Sequence, residues 1–221
     1  MKTKTLFLFS LFLILLQMFV GCHGCVCPDD IKLGEVKVLN PAFFPYKGGE
    51  ILKFVNDKNE IISLVDSSDK QYENKIIVES LCTKPPISSQ FSYYLGTPNY
   101  SLRYMNTPAK LSIEMLFRTN NTQQLPKDSV LYDYCSINVR NRGLNTNNNL
   151  NILVSDRGNA KLLSPNFLKT YENIRLVKDT VINKINYRNV YYDAKNNGVC
   201  YAEKVGVVSF LHSNQWWYLK Q

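Results

Sequence analysis

The stretch "EILKFVNDKNEIISLVD", residues 50–66, decides the fold. Two runs rich in β-branched and aliphatic residues, 50–56 and 59–66, flank the polar pair Asp57-Lys58. That is the pattern of a β-hairpin closed by a short polar turn. The same grammar continues outward through "NKIIVESLC" (74–82), "QFSYYLG" (90–96) and "SVLYDYCSINVRN" (129–141). "YSLRYMN" (100–106) and "KLSIEMLFR" (110–118) alternate apolar and polar residues, as half-buried strands do.

Between 140 and 151, "RNRGLNTNNNLN" has no apolar period and reads as a mobile Asn-rich surface loop. "NILVSD" and "AKLLS" follow around a turn at Arg157-Gly158-Asn159. In 172–193, Ile174, Val177, Val181 and Ile185 could mark a helix face, but the Val, Ile, Asn and Tyr content favours strand, turn, strand. Residues 199–220 read as two or three strands around Gly206 and a Ser213-Asn214 turn. No capped helix of twelve residues follows the leader, and no internal repeat is visible. The expected fold is therefore mainly β: an antiparallel, strongly curved sheet, or a sandwich or half-barrel. Connections this short cannot hold parallel crossovers.

The chain has 221 residues, 45% of them hydrophobic and 20% charged, enough for one globular domain with a real core. The net charge of +8 comes from scattered lysines that never form a run of five, which describes a solvated surface and no nucleic-acid partner.

Residues 1–21 carry Lys2 and Lys4, then an apolar run from Leu6 to Val20 broken only by Ser10 and Gln17, then Gly21. The run is shorter than the ~20 residues a membrane-spanning helix needs, and its order is that of a secretory signal. Ordinary signal-peptidase cleavage could fall after Gly21 or Gly24. Phe19-Val20-Gly21-Cys22 also resembles the bacterial lipobox, in which a small residue precedes the cysteine that is acylated and becomes N-terminal. On that reading Cys22 is lipidated, and the chain meets the membrane through an acyl anchor rather than by spanning it. The expected organisation is a lipoprotein signal peptide (1–21), a lipidated N-terminus and tether (22–42), and one β-rich domain (43–221).

Besides Cys22 there are Cys25, Cys27, Cys82, Cys135 and Cys200. Cys22-x-x-Cys25-x-Cys27 lacks the second knuckle that a structural zinc site needs, and "CHGC" does not match the CxxCH haem motif. No metal or other cofactor is expected. Export favours disulfides, so these five are candidate partners, with the pairing left open.

Three stretches carry a resemblance. "NPAFFPYKGGEILKFVNDKNEIISL" (40–64), "DTVINKINYRNVYYD" (179–193) and "VCYAEKVGVVSFLHSNQWWYL" (199–219) are similar to segments of an uncharacterised Bacteroidota (flavobacterial-type) envelope lipoprotein family. Lys184 stands where that family has a turn glycine, and residues 83–170 match nothing in it. The resemblance implies a lipid-anchored β protein of the cell envelope, at the outer membrane, and brings no enzymatic activity.

Catalytic motifs are wanting. There are two histidines: His23 in the tether, and His212, read as an exposed turn residue. No G-x-S-x-G elbow is present, and no spacing singles out a pair among Asp66, Asp69, Asp128, Asp133 and Asp156. The aromatic run Trp216-Trp217-Tyr218 is the remaining candidate, as a stacking surface or an apolar groove. Because strand neighbours face opposite sides, one of Trp216 and Trp217 must turn away from the core. The expected function is thus a lipid-anchored envelope protein acting as a binding or structural module, not an enzyme, with a protein, glycan or lipid partner left open. A carrier of apolar cargo in a curved sheet is the alternative, and an exported hydrolase the third.

Overall fold

The computed structural model describes residues 31–68, 74–80, 92–121, 130–144, 146–158, 168–169, 171–196 and 198–221. Helical geometry there is confined to a 3-10 turn, Pro41–Phe43, and to residues 168–169. The strands are β1 (Ile31–Glu35), β2 (Ile51–Asn56), β3 (Ile61–Asp66), β4 (Asn74–Ser80), β5 (Ser92–Thr97), β6 (Asn99–Asn106) and β7 (Leu111–Asn121). They continue as β8 (Leu131–Asn141), β9 (Thr146–Ser155), β10 (Ile174–Ile182), β11 (Ile185–Asp193), β12 (Val199–Ala202), β13 (Gly206–His212) and β14 (Gln215–Leu219).

Eleven of them form one antiparallel, nearly closed curved sheet in the order β10-β11-β12-β13-β14-β2-β3-β6-β7-β8-β9. Two up-and-down meanders, β2 to β9 and β10 to β14, are stitched by the pairing of the last strand with β2, Tyr218 opposite Val55. Across the remaining gap, Asn148 at the start of β9 donates from Nδ2 to the Leu211 carbonyl of β13 at 2.8 Å. The other three strands make a small sheet, β1-β5-β4, in which β4 and β5 come from the chain between β3 and β6 and β1 from the chain before β2. There β1 runs parallel to β5, a pairing that short-turn reasoning excludes but that the long intervening chain permits.

The opening hairpin forms as read, with Leu52 opposite Leu64 and Phe54 opposite Ile62. Its turn is longer than Asp57-Lys58, because the Asn56 side chain accepts from the backbone N–H of Lys58 (3.0 Å) and of Glu60 (2.9 Å). Residues 174–193 are strand, turn, strand. The turn residues Asn183 and Lys184 both have positive φ, 47° and 67°, which a two-residue hairpin of right-handed twist demands. Lysine adopts that backbone at a cost that glycine avoids. Lys184→Gly is therefore expected to raise stability by about 0.5–1 kcal/mol, read as a higher urea midpoint at unchanged slope. A fall in the midpoint would show that the lysine side chain contributes something the turn geometry does not reveal.

The Asn-rich loop is corrected. Residues 146–151 belong to β9, with Asn147, Asn148 and Asn149 opposite Arg140, Val139 and Asn138 of β8. The described turn residues are 142–144, held by Asn141 Oδ1 accepting from Gly143 N (2.9 Å) and Leu144 N (3.1 Å). Poor apolar content misled because the outer face of this part of the sheet is solvated, so only Leu150 and Ile152 report the core.

The tether also changes. Residues 31–42, read as part of it, are structured: β1 pairs, and Val38 is buried in the core. From Val38 the chain lays Phe43, Phe44 and Tyr46 inside the curved sheet. Phe43 stacks on Tyr201 (5.2 Å between centroids) and meets Tyr191 (5.5 Å) and Phe117 (6.0 Å). Phe44 stacks on Phe117 at 5.8 Å, and Tyr100 stacks on Phe117 at 6.0 Å. Each such ring removes enough apolar surface from water to contribute about 1.5–3 kcal/mol. Two hydrogen bonds pin the segment: Tyr201 Oη donates to the Phe43 carbonyl at 2.6 Å, and Val207 N donates to Tyr46 Oη at 2.6 Å. Gly206 has φ +99°, and a Cβ there would lie 2.0 Å from Tyr46 Oη, so only glycine admits the tyrosine.

Candidate functional site

The register decides which residues the outer face presents. One cross-strand row runs Ile61, Val55, Tyr218, Ser209, Cys200, Tyr192 over β3, β2, β14, β13, β12 and β11. Beside it Trp216 stands opposite Leu211, and Ile51 stands opposite Val65. Ile51, Ile61 and Val65 are each more than half exposed. This half of the convex face is a band of exposed aliphatic and half-exposed aromatic side chains, interrupted by the exposed Lys53 and by Ser209, which is itself buried.

The other half, β6 to β9, is polar. Glu114 holds Arg103 (3.4 Å) and Arg140 (3.1 Å), and Ser136 donates to Asn151 Oδ1 at 2.7 Å. Arg118 packs its guanidinium over the Tyr134 ring, 5.6 Å from the centroid.

Of the aromatic triplet, Trp217 turns inward and is buried in the core, opposite Asn56 and Phe210, and so leaves the proposed surface. Trp216 and Tyr218 remain half-exposed on the band. Cys135 is fully buried and Cys200 partly buried; both are free thiols, so these two do not pair with each other. Burial pushes both thiols up, Cys135 despite its hydrogen bond with the Tyr201 hydroxyl. Both are therefore neutral at physiological pH and poor nucleophiles. Cys22, Cys25, Cys27 and Cys82 lie outside the described residues.

His212 is not an exposed turn residue. It is buried on the inner face, its Nδ1 has no hydrogen-bond partner, and burial lowers its pKa from the usual 6.5, favouring the neutral ring. Among the described residues, no Ser, Cys or Asp side chain hydrogen-bonds to this Nδ1. Among the described residues, no group of three His, Cys, Asp or Glu side chains could hold a metal ion.

Two polar clusters serve the N-terminal segment. Asp133, wholly buried, accepts at Oδ1 from Arg157 Nη2 (2.8 Å), Arg157 Nε (3.2 Å) and Thr119 Oγ1 (2.6 Å), and at Oδ2 from Leu39 N (2.9 Å). Arg157 Nη2 also donates to the Lys37 carbonyl. This clamp ties residues 37–39 to β7, β8 and the turn after β9. At the next bend, Glu50 accepts from Tyr104 Oη (2.6 Å) and Lys47 N (2.7 Å). Burial alone would raise Glu50, but these donors outweigh it and hold the carboxyl below its ordinary range.

Sequence reasoning named Asp133 only as one unpaired carboxylate. The signal was in the strand period: Asp133 shares its parity with Cys135, Ile137 and Val139, so a strand there must bury it. Arg157, at φ 54° in a turn twenty-four residues on, had no such marker.

No protein-family model matches this chain, and neither a curated protein nor a solved structure does.

Proposed function

We propose that this chain is an exported, lipid-anchored cell-envelope protein at the outer membrane, whose barrel acts as a binding or structural module through its outer surface. The observation that carries this reading is the contrast between the two sides of the sheet. The inner side is packed by the chain's own Phe43, Phe44, Tyr46 and Tyr201, whereas the outer side carries the band with Trp216 and Tyr218. A carrier of apolar cargo needs an open concave apolar face, and that face is filled from within, which weighs against the alternative. An aromatic interior beneath an outer face bearing Arg103, Glu114 and Arg140 is the reverse of a membrane-spanning barrel, whose exterior is apolar and interior polar. That contrast supports anchoring over spanning. The leader ending in Val20-Gly21-Cys22 supplies the anchor.

The test is metabolic labelling with a palmitate analogue in a bacterial host. The wild-type chain is expected to take the label and sediment with membranes, and Cys22→Ala to lose the label and move to the soluble fraction. An unlabelled wild-type chain, or an alanine variant that stays labelled, would overturn the anchor.

A further inference from the structure

The end strand β10 is exposed on both faces. Leu176 and Val181 are 49% and 63% exposed, and among the described residues β10 pairs only with β11. That second edge carries no ladder partner among the described residues, although β9 approaches it, and a nine-residue strand with five aliphatic residues is a template for another strand. The charge pattern says which strand fits.

We propose that β10 is the interface between two copies of this chain, paired edge to edge and antiparallel about a twofold axis at Val177. Such an axis lies normal to the sheet and keeps side chains on their own faces, so it must pass through a residue rather than between two. Three registers then keep at least seven of the nine residues paired, centred on Val177, Lys178 or Asp179. The Lys178 centre stacks two lysines, and the Asp179 centre stacks two aspartates, each a like-charge pair directly opposite. The Val177 centre places Val177 against its copy, flanked on the same face by two Arg175–Asp179 ion pairs, with Leu176 facing the stem of Lys178 and Ile174 facing Thr180. Asp179 is available for this. Its intrachain partner Arg188 lies 3.8 Å away, and both side chains are at least 80% exposed. The strand thus complements itself in one of these registers and repels itself at the centre of the other two. The dimer does not depend on the anchor, although confinement to a membrane would favour it by raising local concentration.

The experiment uses the full-length chain, expressed in bacteria and oxidised mildly in intact cells. Val177→Cys is expected to give a disulfide-linked dimer, because axis residues face each other within bridging distance. Lys178→Cys alone is expected to give none, whereas coexpressed Leu176→Cys and Lys178→Cys chains are expected to link to each other. In the Val177→Cys background, Arg175→Asp or Asp179→Arg should cut the dimer about tenfold, as two attractive pairs become repulsive. The double exchange R175D/D179R should restore it. Arg175, Leu176, Lys178 and Asp179 are exposed and Val177 is half-buried, and unchanged circular dichroism confirms that the variants fold. A Val177→Cys chain that stays monomeric, equal linking by Lys178→Cys alone, no recovery in the double exchange, or linkage to a different protein would each overturn the proposal.

Discussion

Asp133→Ala is expected to cost about 3–5 kcal/mol, the largest loss of any single polar substitution among the described residues. The carboxylate is wholly buried and accepts four hydrogen bonds, three at one oxygen and one at the other. Removing it leaves the Arg157 guanidinium, itself only 15% exposed, without its counter-charge, and leaves Leu39 N and Thr119 Oγ1 without an acceptor. Most of the loss is this unpaired charge rather than the intrinsic worth of the ion pair. In a chain of this size it should lower the melting temperature by about 10 °C. Asp133→Asn keeps the shape and some acceptors, so a smaller loss is expected. Thermal and urea unfolding of both variants decide the matter: a loss under about 1 kcal/mol for the alanine variant would mean that Arg157 finds water and the clamp holds nothing. Because the clamp grips residues 37–39, proteolysis near them should accelerate in the alanine variant more than its global stability alone requires.

Phe43→Ala is the second large effect, also about 3–5 kcal/mol. The ring is 1% exposed and touches Phe117, Tyr191 and Tyr201, three rings held by three different strands. These cannot collapse together without moving the sheet, so a cavity is expected to persist. Such a cavity is apolar and dry and should accept a small aromatic molecule. Benzene or indole should therefore raise the melting temperature of Phe43→Ala and leave that of the wild type unchanged. A wild-type chain stabilised by the same probe would show that the barrel already has room for apolar cargo and would revive the carrier reading. A variant that loses stability without regaining it on adding the probe would mean that the sheet closes around the gap.

Strands and turns were legible because their signal is local. Alternation in 110–118 and paired turn residues at 183–184 and 213–214 report the backbone wherever the strand ends up; Ser213 and Asn214, for instance, have φ of 52° and 59°. The signal failed where one face of a strand is solvated and the other carries few apolar residues, as in β9 with its asparagines. It failed again at His212. Proximity to a turn suggested exposure, but its inward parity beside Phe210 places it under the closed end of the sheet.

The candidate surface was half legible. Alternation required that one of two adjacent tryptophans face outward, but choosing between them depends on which face of β14 meets the core. That choice is made by β2 and β13 on either side. Neighbours of this kind lie far apart in the chain and leave no local trace.

By itself the sequence determined a mainly β chain, the places of its hairpins and the parity of its strands, because period-two patterning and turn chemistry act over a few residues. Only the tertiary structure decided that the last strand pairs with β2 and nearly closes the sheet, that residues 38–46 fill its interior, and that Asp133 finds Arg157. Those outcomes depend on which distant segments bury one another's apolar faces and satisfy one another's buried charges.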